Sequence, residues 1–171
     1  DMLILEGDHI RTSHDSCAVL TLPDFCTFKM KSQSEIIINT HKEPENKLKV
    51  LAGKVWTNVK KMITDGTMDV EMTQAVAGIK GTIFVAEETG SESILKVIEG
   101  EVELRTNAGD RLLVTGGAMA TVKEGSLARV EPFSINDEVN SWDLVNQAWV
   151  KSEERKNENK AKEDQVYVTT E

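Results

Sequence analysis

Between its first residues and Phe133 the sequence is cut by turn residues about every 8–12 positions, and no long segment of 3.6-residue period intervenes. That spacing suits strands and hairpins and little else. "CAVLTL" meets "PDF" and returns as "CTFKM", a hairpin pattern; "SEIIIN" is a further strand, followed by the polar loop "THKEPEN". Next come "LKVLAGKVWTNVKKM", a turn at "TDG", "DVEMTQA" and "AVAGIKGTIFVA". After a loop at "EETGSE" the chain continues with "ILKVIEGEVELRT", a turn at "NAGD", "RLLVTGGAMATV", "KEG" and "SLARV". The reading is an all-β fold of stacked β-layers, twisted-sandwich or solenoid-like, with one C-terminal α-helix.

A weak internal repeat supports layering. Leu48–Val55, "LKVLAGKV", and Leu95–Val102, "LKVIEGEV", share the form L-K-V-x-x-G-x-V. A second echo joins "LILEGDHIRT" to "LLVTGGAMAT", with Gly7 matching Gly116 and Thr12 matching Thr121. Repeated strand–Gly–strand units are expected of stacked or pseudo-symmetric β layers, although two copies do not make a solenoid.

The chain changes character after Pro132. Ser134 and Asp137 form a capping-box pattern, and Val139, Trp142, Val145 and Trp149 follow at helical spacing. Each tryptophan can bury ~200 Å2, so the helix is expected to dock on the β body or on a partner. From Lys151 to Gln165 there are five positive and five negative side chains, read as a solvated helix extension or disordered linker, with an interaction tail or coiled-coil lead-in as the alternative. The expected organisation is therefore a β domain over 1–133, an amphipathic helix running into a charged tail over 134–165, and a short terminal segment, 166–171. The last, "VYVTTE", has the composition to add a strand to a sheet edge.

The net charge of −9 repels phosphate backbones and anionic lipid, which argues against nucleic acid and membrane surfaces as partners. No segment has the ~18 apolar residues needed to span a bilayer. The chain opens inside the apolar run "DMLILEGD", which reads as an excised piece of a longer protein, so a missing signal peptide says nothing of compartment. Cys17 and Cys26 fall on opposite faces of one hairpin, which argues against a disulfide. His9 and His14, five residues apart, also fall on opposite faces, and nothing fixes His41 beside them; surface histidines are expected, and no metal. No nucleophile–base constellation, G-x-S-x-G, phosphate loop or HExxH occurs, so catalytic residues are none and no cofactor is expected.

In "AVAGIKGTIFVA" one lysine stands between two glycines inside an apolar strand pattern. One reading is an anion-binding nest with Lys80 as its charge, but such sites need a following helix and a strand follows here. The stronger reading is structural: Gly78 and Gly81 permit a bulge or a tight crossing between β layers. Lys80 then alternates outward from Ile79, or its ammonium meets a buried partner, in which case Lys80→Ala would lower stability more than it changes binding.

This stretch, with "ILKVIEGEVELRT" and "RLLVTGGAMATV" after it, resembles the core signature of the FecR-like domain family, the extracytoplasmic domain of iron-dicitrate sensor regulators. The matching positions are Gly78, Gly81, Thr82 and Phe84, then Gly100 and Val102, then Gly116 or Gly117. Upstream, Gly7, Asp8, Thr12, Ser16 and Asp24 are similar to the family's first element, and "LKVLAGKVW" to the strand before the signature. The resemblance spans about Leu3 to Val130. Lys80 replaces the usual arginine, Phe25 stands where glycine is common, and the family's earliest strands are absent.

The resemblance implies a non-catalytic, extracytoplasmic module of a bacterial envelope signalling protein, in the periplasm or at the cell surface. It implies action by binding a protein, or a glycan, in the cell envelope, a membrane anchor outside this chain, and, in the iron-transport branch, relay of a signal to a sigma factor. Strand addition at an exposed sheet edge is the expected mode. The alternatives are a carbohydrate- or small-molecule-binding β-domain, possibly an enzyme, and a structural cell-surface scaffold; scarce aromatics, 5% of residues, weigh against sugar stacking.

Overall fold

The computed structural model describes residues 5, 7–22, 26–39, 45–59 and 67–166. The expected "TDG" turn, the hairpin tip at Asp24 and Phe25, most of the "THKEPEN" loop, His41, the side chain of Trp149 and residues 167–171 lie outside the described residues. The chain divides into two units, 1–135 and 136–171.

The described residues of the first unit form strands β1 (His9–Arg11), β2 (Ala18–Leu22), β3 (Cys26–Met30), β4 (Glu35–Asn39), β5 (Glu45–Val59), β6 (Thr67–Glu71), β7 (Ala75–Ile79) and β8 (Ile83–Glu88). They continue with β9 (Glu92–Glu99), β10 (Glu101–Thr106), β11 (Arg111–Thr115), β12 (Ala118–Lys123) and β13 (Ser126–Pro132). The strands are arranged in two layers that share β5. One runs β1-β4-β5-β6-β7-β10-β11 and the other β2-β3-β5-β8-β9-β12-β13. Every pairing is antiparallel except β5–β6. The result is the all-β class expected, as one curled mixed sheet folded over a single core.

That core draws on both layers: Phe28, Met30, Ile36, Ile38, Leu48, Val50, Val55, Phe84, Leu95, Val97, Val102 and Leu104 are buried and in one cluster. Alternation puts them there. In β4, Ile36 and Ile38 face inward and Ile37 does not; in β9, Leu95 and Val97 alternate with Lys96. With few aromatics, branched aliphatic side chains fill the space between the layers.

The L-K-V-x-x-G-x-V repeat encodes a passage from one layer to the other. Leu48 and Val50 face the core in the first layer, the chain bends at Gly53 (φ +79°), and Val55 faces the core in the second. Leu95 and Val97 face the core in the second layer, the chain bends at Gly100 (φ +90°), and Val102 faces it in the first. Alternation alone would put a residue five positions on at the opposite face. The corner turns the strand over, so that both inward sets remain inward. β7 leads to β8 in the same way, from Ile79 to Phe84 through Gly81 (φ +62°). A β-bulge beside Gly53, where Glu35 pairs with Ala52 but Ile36 with Val50, adds to the bend in β5.

The corners at Gly81 and Gly100 touch. A Cβ on Gly100 would stand 2.7 Å from Thr82 Cγ2 and 3.3 Å from Gly81 O, and Gly116 N donates to Gly100 O at 3.0 Å. At the other end of the unit four hairpin turns are tied together by Gln74. Its main-chain N donates to Ser93 Oγ (3.1 Å) and its Nε2 to Ser91 O (2.7 Å). Its Oε1 accepts from Gly125 N (2.8 Å), and its main-chain O from Asn107 N (3.0 Å). Glu88, buried beside it, accepts hydrogen bonds from Thr73 N and Ser93 Oγ.

The second unit contains α1 (Ile135–Asn140) and α2 (Asp143–Val166). Trp142 Nε1 donates to Glu138 Oε1 at 3.0 Å, and Ser141 N to Asp137 O at 3.0 Å. The charged run is helical, since α2 continues through Lys151–Gln165.

Two measurements test this account. Gly100→Ala meets both a forbidden φ and a clash, and is expected to lower stability by at least ~2 kcal/mol in chemical denaturation. Gly78→Ala, at a position whose Cβ would meet nothing nearer than 3.8 Å, should instead raise it by ~0.5–1 kcal/mol. Separately, Gln74→Ala strands Ser91 O and Gly125 N, one group in each of two neighbouring turns, and is expected to cost ~2–3 kcal/mol, read as a melting point ~4–12 °C lower.

Candidate binding groove

An open groove of about 900 Å3 lies across the outer side of β6, β7 and β10 and reaches the glycine corners. β7 forms its middle. In register, Gly78 stands between Asp69 on β6 and Glu103 on β10, with Leu113 of β11 opposite Glu103. Adjacent strands lie ~4.8 Å apart, so Asp69 and Glu103 flank a gap ~10 Å wide with no side chain in it.

The walls are charged. Asp69, Glu99, Glu101 and Glu103 contribute carboxylates, and Lys80 and Arg105 contribute cations. Arg105 Nη2 reaches both carboxylate oxygens of Asp69, at 3.3 and 3.4 Å, and the Arg105 Nε is buried with no hydrogen-bond partner among the described residues. No cation lies within ion-pair distance of Glu99, Glu101 or Glu103 among the described residues. Thr82 lines the same groove, is 2% exposed, and its Oγ1 has no hydrogen-bond partner among the described residues. No described residue lining the groove is aromatic.

The signature positions divide into three groups here. Gly78, Lys80, Gly81 and Thr82 line the groove, Gly100 packs on Thr82, and Phe84 points into the core. The tight crossing expected at Gly78 is not found there: a Cβ would meet only Asp69 Oδ1 and Glu103 O, both at 3.8 Å. The crossing is at Gly81, and the tight contact at Gly100. Lys80 is exposed while Ile79 is buried, so the lysine alternates outward. The chain therefore puts its charge between two glycines because that charge stands on the groove's rim.

The acidic wall was open to detection. "DVE" at 69–71 and "EVELR" at 101–105 alternate charged and apolar residues, a period-two pattern with one charged face. What the chain order hides is that β6, β7 and β10 are neighbours.

His9, His14 and the two cysteines do not join this site. His9 Nδ1 lies 3.2 Å from Glu35 Oε1 and His14 Nδ1 2.9 Å from Asp15 Oδ2, both at the surface. Cys17 is exposed, Cys26 is buried, and both are free thiols. Burial pushes the Cys26 thiol from its ordinary 9.0 to about 12, so the thiolate is disfavoured in the folded protein. The folded state then holds a proton that the unfolded chain releases, and this contribution to stability falls as pH rises from 9.0 toward about 12. A disulfide-exchange reagent at pH 8 should titrate one thiol per native chain and two after denaturation.

The architecture is that of a coiled, two-layer β domain with an open, mixed-charge groove at its glycine corners. Residues 8–103 match the FecR protein family model, and the chain belongs to that family. No curated protein matches the sequence. The fold is similar to two crystal structures of a candidate anti-sigma factor from Parabacteroides distasonis ATCC 8503, each with a TM-score of 0.68 and 16% identity over 79% of this chain. The chain spans 64% of the length of one and 63% of the other. Among the described residues no helix is long and apolar enough to cross a membrane.

Proposed function

We propose that the chain is a non-catalytic, protein-binding module of a bacterial envelope regulator, acting outside the cytoplasm. The observation that carries this reading is the FecR match over residues 8–103, across both β layers. The fold shared with the candidate anti-sigma factor supports a place in transcriptional signalling. In the parent protein the module passes an envelope signal toward a sigma factor; in the iron-transport branch that signal is transporter occupancy.

The interaction mode that fits best is strand addition at β11. This strand pairs only with β10 among the described strands and carries Leu113, 58% exposed, at the free edge. An incoming strand would find unpaired main-chain groups and an apolar contact there. A sugar-binding reading is weaker because the described groove lining offers no aromatic face for stacking.

The test uses the host. Cells lacking the protein are complemented with the wild-type gene or with Leu113→Asp, and transcript profiles are compared. Asp at this exposed position should leave the protein's abundance unchanged and abolish the regulated response. A wild-type profile from Leu113→Asp would overturn the edge, and an unaltered profile in cells lacking the protein would overturn the regulatory reading itself.

A further inference from the structure

We infer that the groove around Gly78 is a binding site for an extended basic segment of a protein partner. The inference deepens the proposed function and rests on it, by giving the partner a chemistry. Three independent features point the same way.

The first is unused charge. Glu101 and Glu103 stand two residues apart on β10 and line the groove without a cation in reach among the described residues. Along a strand two residues span ~7 Å, which is also the repeat of side chains on one face of an extended peptide. Lysines or arginines at alternate positions of such a peptide therefore meet Glu101 and Glu103 in step. Arg105, two residues past Glu103 on β10, partly neutralises Asp69, so a cationic ligand is favoured at the Glu101–Glu103 end of the groove.

The second is the gap at Gly78. Its φ is not in the left-handed region, and a Cβ would touch nothing closer than 3.8 Å. Neither backbone conformation nor crowding requires glycine, and a glycine inside a strand costs ~0.5–1 kcal/mol relative to alanine. What the missing side chain provides is depth between Asp69 and Glu103, enough for a main chain to lie close to β7.

The third is Thr82, buried in the groove lining with a hydroxyl that has no hydrogen-bond partner among the described residues. A buried polar atom left unmatched in the apo state is a group that a ligand's polar atom can satisfy after a small adjustment.

The experiment is calorimetric titration of the 171-residue protein with a synthetic peptide alternating arginine and threonine. Spermine serves as a small polycation control, and a peptide of the same length with glutamate for arginine as a charge control. Glu101→Gln/Glu103→Gln is expected to weaken arginine-peptide binding about tenfold. Gly78→Val, which fills the gap, should weaken it at least as much while the melting temperature stays at or above wild type. Asp143→Asn/Glu154→Gln, the same charge change on α2, should bind as wild type does.

Equal weakening by the groove and α2 pairs would mean non-specific attraction and overturn the site. So would spermine binding as tightly as the peptide, or no peptide binding at all. These failures are distinct from failure of the regulatory reading, which the transcript profile of cells lacking the protein measures separately.

Discussion

The architecture depends on the chain's passing between two β layers at corners that have no room for a side chain. At Gly100 the nearest atoms to an added Cβ would be Thr82 Cγ2 and Gly81 O, and at Gly53 they include Gln33 O at 2.6 Å. Each corner also needs a positive φ. Space and conformation thus demand the same residue at the same place. The Gly81 and Gly100 corners are in contact, and neighbouring main chain ties them further: Gly117 N donates to Val97 O at 2.8 Å and Val59 N to Thr82 O at 3.0 Å. The layers are therefore in register through their corners before core packing is counted.

The opposite end is held by different means. Hairpin turns there are far apart in sequence, and hydrogen bonds through the main chain and the amide side chain of one residue hold them together. A neutral amide suits this role because it donates and accepts in one plane, which neither a carboxylate nor a lysine can do. Burial makes each bond costly to leave unmade, so Gln74 specifies the arrangement of the turns as well as stabilising it. The unit is thus fixed by steric fit where Gly81 meets Gly100 and by polar matching around Gln74.

Much of this was legible in the sequence, for a definable reason. Strand alternation, turn residues and glycine corners are local, and L-K-V-x-x-G-x-V records two of the layer passages with their inward and outward positions. The Gln74 network was not legible, because its partners at Ser91, Ser93, Asn107 and Gly125 follow no period. The groove was half legible: the signature marked Gly78, Lys80, Gly81 and Thr82, while Asp69, Glu101, Glu103 and Arg105 joined them only through the order of strands. The role of Gly78 was misread for the same reason, since two glycines three apart look alike in sequence. One turns a corner, and the other leaves a space.

That difference bears on where function resides. Gly81 and Gly100 are explained completely by the fold, and replacing either would damage it. Gly78 is not so explained, for its backbone conformation and its surroundings both accept a larger residue. Glu101 and Glu103 also have no cation within ion-pair distance among the described residues, in a chain whose net charge of −9 already disfavours compactness. A strand weakened by glycine and a concentration of like charge are both costs to the free protein, and they fall on one face. Folding alone gives no return for them, whereas a partner that fills the gap and neutralises the wall would recover both.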